Sequence, residues 1–115
     1  MIKELLKKEQ NLITLIAIDN FRASVLDEIK PVLLAHISRD HEFEDMETVL
    51  RHISEKYVNT LKVCLLDEDS NTIFRRFGIE GSPAFIVFHE GKEKGRMLGK
   101  VDNNVLDSFV LRTLA

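Results

Sequence analysis

The chain has one cysteine, Cys64, two prolines, and no apolar run near the roughly 20 residues that a membrane-crossing helix needs. A single thiol excludes an internal disulfide and a zinc site built from several thiolates, and it fits a reducing cytoplasm. Positive charge is not in excess: 16 basic against 19 acidic side chains give a formal net charge of −3. The two signs are interspersed, so no basic footprint concentrates phosphates and nucleic acid is not an expected partner. Lysines precede the apolar run Leu12–Ile18 as they would in a secretory leader, but Asp19 and Asn20 follow it instead of a small-residue cleavage site. Neither a leader nor a membrane partner is expected. Repeats, low-complexity tracts and linkers are also missing. With 115 residues and 44% apolar content, residues 1–115 are expected to form one domain around one core.

What is present alternates. "IKELLKKE" carries Ile2, Leu5 and Leu6 at helical spacing and predicts a short additional amphipathic helix within residues 1–10. "LITLIAI" is rich in β-branched residues and predicts a strand. Asp19 or Asn20 then caps a helix expected to place Phe21, Val25, Leu26 and Ile29 on one face. Pro31 opens a second strand, "VLLAHIS", after which Phe43, Met46, Val49, Leu50, Ile53 and Tyr57 recur at the spacing of a long helix. "LKVCLL" is apolar at consecutive positions, as in a strand covered on both faces. "DEDSNTIFRRFG" supplies a cap, a short helix with Ile73, Phe74 and Phe77 inward, and Gly78 as terminator. "AFIVF" and "KGRML" flank a turn containing Gly91 and read as a hairpin. A last helix begins near Asp102 or Asn103 and presents Val105, Leu106, Phe109 and Val110. The order (α)βαβαβαββα calls for parallel strands with right-handed crossovers, helices on both faces and an antiparallel hairpin at the edge.

In "GSPAFIVFHEG", Pro83 stands directly before the apolar run Ala84–Phe88. Proline has no N–H for a sheet ladder, so it belongs at the first position of a strand or outside one. The wider segment "RRFGIEGSPAFIVFHEGKEKGRMLG" resembles the thioredoxin family: a helix end, aromatic-Gly-Ile, a small loop, proline, an apolar strand, a Glu-Gly turn and a final strand ending in Gly. The resemblance runs from about Leu12 to the C-terminus. It implies a three-layer α/β/α sandwich with a mixed sheet. It also implies that Pro83 follows a cis peptide bond beside the active site, with the backbone at Ser82 unpaired and facing outward; the plain alternative is a trans proline at a strand entrance.

The departures from that family are as informative. Its members exchange disulfides through a Cys-x-x-Cys pair at the start of the second helix, where the helix dipole lowers a thiol pKa. Here the loop reads "SRDHEFEDM". Counting forward from "VLLAHIS" places the two positions at His41 and Glu44, and counting back from "VLRHISEKY" places them at Asp40 and Phe43. Neither register supplies a sulfur. The family's buried carboxylate falls on Ala35 and its partner lysine on Val63 or Cys64. A resemblance stripped of these parts implies a redox-inactive member that is not an enzyme and needs no cofactor.

Other residues offer chemistry of their own. Asp40, Glu42, Glu44, Asp45 and Glu47 crowd a helix start, where capping and the dipole already favour negative charge. His41 with Glu44 or Asp45 has the spacing of a metal-ligand pair, and its imidazole suits acid–base chemistry, but no nucleophile or oxyanion pocket accompanies it. Ser82 has no base and reads as a turn residue; Cys64 lies in an apolar strand and reads as a buried small hydrophobe. Phe43 shares the spacing of Met46 and Leu50 and so reads as core; if exposed, it would be an apolar knob beside Ser82.

The resemblance therefore implies a noncatalytic polypeptide-binding adaptor or chaperone-like module. Ser82, Pro83, Asp40, His41, Glu42, Phe43, Glu44 and Asp45 form its expected contact surface, and a partner segment of basic character suits the acidic loop. The alternatives are an oxidoreductase using Cys64 or a partner's thiol, and a metal-binding protein using His41 and neighbouring carboxylates.

Overall fold

A computed structural model of the protein describes residues 12–115. The helix expected within residues 1–10 lies outside the described residues. The elements are β1 (Ile13–Ile16), a π-helical turn (Arg22–Leu26), β2 (Val32–His36), α1 (Phe43–Lys56), β3 (Lys62–Leu66), α2 (Asn71–Phe77), β4 (Ala84–His89), β5 (Lys92–Leu98) and α3 (Asn103–Leu114).

Five strands form one sheet in the order β1-β3-β2-β4-β5. β1 and β2 each run parallel to β3, β4 runs antiparallel to β2, and β5 runs antiparallel to β4. The antiparallel part is thus more than an edge: β4 is an inner strand whose five apolar residues, Ala84 to Phe88, are all buried. Such unbroken runs in β2, β3 and β4 follow from cover on both faces.

The strand period of two sorts the side chains into two layers. Leu33, Ala35, Val63, Leu65, Phe85 and Val87 face Met46, Leu50 and Ile53 of α1 and Leu106, Phe109 and Val110 of α3. On the other face Val32, Leu34, Cys64, Leu66, Ile86 and Phe88 meet Phe21, Val25 and Ile73. Truncating a fully buried member such as Leu50 or Phe85 to alanine costs about 2–5 kcal/mol, which identifies these layers as the source of stability. Together they make the three-layer α/β/α sandwich.

Two details differ from the sequence-based expectations. The first helix is a single wide turn, closed by the Asp27 N–H donating to the Arg22 carbonyl at 2.8 Å, and Ile29 is 87% exposed instead of joining Phe21 and Val25 inside. Pro31 disfavours helical geometry at Lys30, so the chain has room for little more than one turn before β2 begins. In α3, Leu106, Phe109 and Val110 are buried while Val105 is 42% exposed. The buried set already fills the i, i+3, i+4 stripe, and Val105 lies about 100° around the helix from Leu106.

Neither Asp19 nor Asn20 caps the first helix, whose N-cap is Phe21, because the Asn20 side chain turns back to accept the Ala17 N–H, and Ser70 makes no side-chain cap to α2; two other helix ends agree with the sequence. Asp102 caps α3 by accepting the Val105 N–H at 2.9 Å. Gly78 ends α2 at φ 58°, where a Cβ would be strained. Among the described residues no helix is long and apolar enough to cross a membrane.

Candidate functional site

β2 ends and β4 begins side by side, with His36 opposite Ala84. The loop entering β4 and the loop leaving β2 therefore meet at one end of the sheet. The Ser82–Pro83 peptide bond is cis. Pro83 is buried, and its carbonyl accepts the Gly99 N–H at 2.9 Å. Ser82 is exposed, and its Oγ accepts the Ser38 N–H at 2.7 Å. Among the described residues no hydrogen bond engages the N–H or C=O of Ser82. The result is a short open stretch of main chain between the loop after β2 and the loop after β5.

The acidic loop forms one wall. Asp40 and His41 are exposed; the Asp40 carboxylate accepts the Glu42 N–H at 2.9 Å and its carbonyl accepts the Phe43 N–H at 3.1 Å. This ties the entry of α1, while Glu44 and Asp45 lie exposed in the helix's first turn, where the dipole favours them. Glu42 is half-buried and reaches across the site: Lys100, in the connection from β5 to α3, holds its Oε1 at 3.0 Å.

Phe43 lies as its helical spacing predicts. It is half-buried against the α1 layer, and the Arg39 guanidinium covers its ring at 4.6 Å from the centroid. Arg39 is itself anchored, donating to the Ile37 carbonyl at 2.5 Å and the Leu66 carbonyl at 3.2 Å. Phe43 therefore supports the wall as a half-buried residue that shares the spacing of Met46 and Leu50.

The remaining candidates separate. Cys64 is fully buried between Thr14 and Leu34 in the sheet, and burial pushes its thiol pKa up to about 12. A protonated thiol shielded from solvent is a weak nucleophile. The nearest carboxylate to His41, at 3.7 Å, is Glu42 Oε1, the atom that Lys100 already holds. No three histidine, cysteine, aspartate or glutamate side chains come together among the described residues, so the metal alternative lacks a ligand set.

One residue of the site escaped sequence reasoning. His36, at the end of β2, stacks on Phe74 with 4.4 Å between ring centroids, and its buried Nδ1 has no partner among the described residues. Burial, then the nearby Arg39 charge, lowers its pKa. Its place at the end of the Val32, Leu34 alternation was the available signal; as one polar residue in an apolar run it suggested no function.

Strand order, crossovers, terminal hairpin and proline loop together define a thioredoxin fold without a dithiol. The family model described as Thioredoxin matches residues 12–112, and the chain belongs to that family. No curated protein matches it.

Proposed function

We propose that this chain is a redox-inactive thioredoxin-family protein that binds other polypeptides, as an adaptor or chaperone-like module, through the main chain at Ser82. The observation that carries the reading is the combination at one site of an exposed, unpaired peptide group beside Pro83 and no sulfur in either register of the dithiol loop. An exposed N–H and C=O are what an extended segment pairs with when it adds as a strand. Asp40, Glu44 and Asp45 are exposed in the loop after β2 and the first turn of α1, and their negative charge favours a basic segment and speeds its encounter at low salt. With its one thiol buried, the protein suits a reducing cytoplasm, and nothing in the reading calls for a cofactor.

Comparative capture of bound proteins, identified by mass spectrometry, tests it with three baits. Ser82→Ala keeps the peptide N–H and is expected to capture the same proteins as wild type. Ser82→Pro removes that donor and is expected to lose them. Equal capture by all three would put the binding surface elsewhere, and insulin reduction by the wild-type protein that disappears in Cys64→Ala would reject the noncatalytic reading altogether.

A further inference from the structure

We infer that Asn20 guards one edge of the sheet: its side chain occupies main-chain groups of β1 with which a second copy of this chain would otherwise pair. The inference is independent of the reading of Ser82.

β1 pairs with β3 on one side and, among the described residues, with no strand on the other. The Ile16 carbonyl accepts the Asp67 N–H at 2.8 Å on the β3 side, so by alternation the main-chain groups of Leu15 and Ala17 point outward. An open row of this kind is a template for another strand. The side chains of β1 do nothing to discourage one. Ile13 to Ile18 contains no charge, proline or glycine, and Leu15 and Ile18 are 54% and 58% exposed. The opposite edge differs: β5 carries Lys92, Glu93, Lys94 and Arg96, and its register against β4 is broken between Val87 and Phe88. Charge and a bulge deter strand addition, and β1 has neither.

What β1 has instead is Asn20. Its Oδ1 accepts the Ala17 N–H at 2.8 Å and its Nδ2 donates to the Leu15 carbonyl at 2.9 Å. In a parallel ladder a single residue makes this same pair of bonds, donating to residue i and accepting from residue i+2 of its neighbour. The carboxamide therefore stands where a strand residue opposite Ile16 would stand. An aspartate at this position would lack the donor. The main chain of Asn20 is tied as well: its N–H donates to the Ala17 carbonyl at 3.3 Å, and its carbonyl accepts the Ser24 N–H at 2.9 Å. Bonds already formed within the chain must be broken before an incoming strand can replace them.

The strand best matched to this edge is β1 of a second copy. A two-fold axis sets two uncharged, apolar edges antiparallel, and the exposed Leu15 and Ile18 of both copies leave water together.

The test is sedimentation velocity of the full chain over a concentration series. Asn20→Ala is expected to dimerise at least roughly tenfold more tightly than wild type, because two hydrogen bonds per copy no longer compete. Adding Leu15→Lys places a charge on the edge and is expected to restore wild-type association. Adding Leu111→Lys, at an equally exposed leucine on α3, is expected to leave the tighter dimer intact. Should Asn20→Ala fail to fold, Asn20→Ser decides: its hydroxyl can accept from Ala17 but cannot also reach the Leu15 carbonyl, and the same direction of change is expected. Wild-type association in the folded Asn20 variants overturns the guard. So does a rise that Leu15→Lys leaves in place, or one that Leu111→Lys abolishes equally. A wild-type dimer that Leu15→Lys alone dissociates overturns it too, since the edge is then already open.

Discussion

Ser38 and Ser82 are joined across 44 residues of sequence by one hydrogen bond, the Ser38 N–H donating to Ser82 Oγ at 2.7 Å. Its consequence is positional: the side chain of Ser82 faces the protein and is occupied, while the peptide group of the same residue stays open. Ser82→Ala should therefore lower stability by about 0.5–1 kcal/mol, the low end for a hydrogen bond because the site is exposed. Urea unfolding midpoints at constant m-value measure this. A loss above about 2 kcal/mol would mean that the hydroxyl supports more than the Ser38 amide.

A second prediction concerns acid stability. Asp107 on α3 accepts hydrogen bonds from Lys56 Nζ, at 2.8 Å, and from the Tyr57 hydroxyl at the end of α1. Lys56 first and Tyr57 second hold its carboxyl below the usual range. A folded pKa below the unfolded one means that the unfolded chain takes up the proton first, so this stability is complete above about pH 4 and is lost as pH falls further. Asp107→Asn is expected to flatten the decline of stability between pH 4 and 2. Tyr57→Phe removes one bond to a charged acceptor and should cost about 1 kcal/mol at neutral pH, read from chemical denaturation.

His36 predicts a different window. Its folded pKa is lowered, first by burial and then by Arg39, from an ordinary value of 6.5. The unfolded chain again protonates first, so the contribution is complete above that value and declines as pH falls below it. His36→Phe, which keeps a ring against Phe74, should remove this slope between pH 7 and 5. An unchanged slope would mean that the proton uptake belongs elsewhere.

The sheet was legible because its strands are coded locally. "LKVCLL" and "AFIVF" are unbroken apolar runs between polar stretches, and Gly78 and Asp102 mark helix ends by conformational freedom and capping that act within a few residues. The open peptide at Ser82 could be inferred from Pro83 and the family pattern around it. What could not be read depends on contacts between distant residues. Ile29 has the spacing of an inward side chain, yet Pro31 ends the turn before it can pack. Lys100 and Glu42 are ordinary surface charges until the fold places them 3.0 Å apart. The hold of Arg96 on the Phe77 and Gly78 carbonyls likewise exists only once β5 lies beside the end of α2.

Chemical labelling separates the family's sulfur chemistry from this chain. Cys64 is fully buried with its pKa pushed up to about 12, so a thiol-specific reagent should react with the folded protein only through unfolding. The labelling rate at pH 8 is expected to rise with urea in parallel with the unfolded fraction and to stay orders of magnitude below that of a free thiol in buffer. Prompt labelling in buffer would show the thiol to be accessible. Cys64→Ala leaves a small void and should cost about 1–2 kcal/mol.

Arg96 supplies the last prediction. Its guanidinium takes the Glu93 carboxylate with two hydrogen bonds and the carbonyls of Phe77 and Gly78 with two more, fastening edge strand β5 to the end of α2. The carbonyls at a helix end lack intrahelical donors, and a planar fork can serve them while gripping a carboxylate, which a lysine ammonium cannot do with the same geometry. Arg96→Lys is expected to cost about 1 kcal/mol, a modest figure because the cluster is partly exposed. Glu93→Gln alone should cost less. Because Glu93 orients the guanidinium toward the carbonyls, the double substitution should cost less than the sum of the two, and a double-mutant cycle measures the difference. Strict additivity would show that Arg96 grips α2 without help from Glu93.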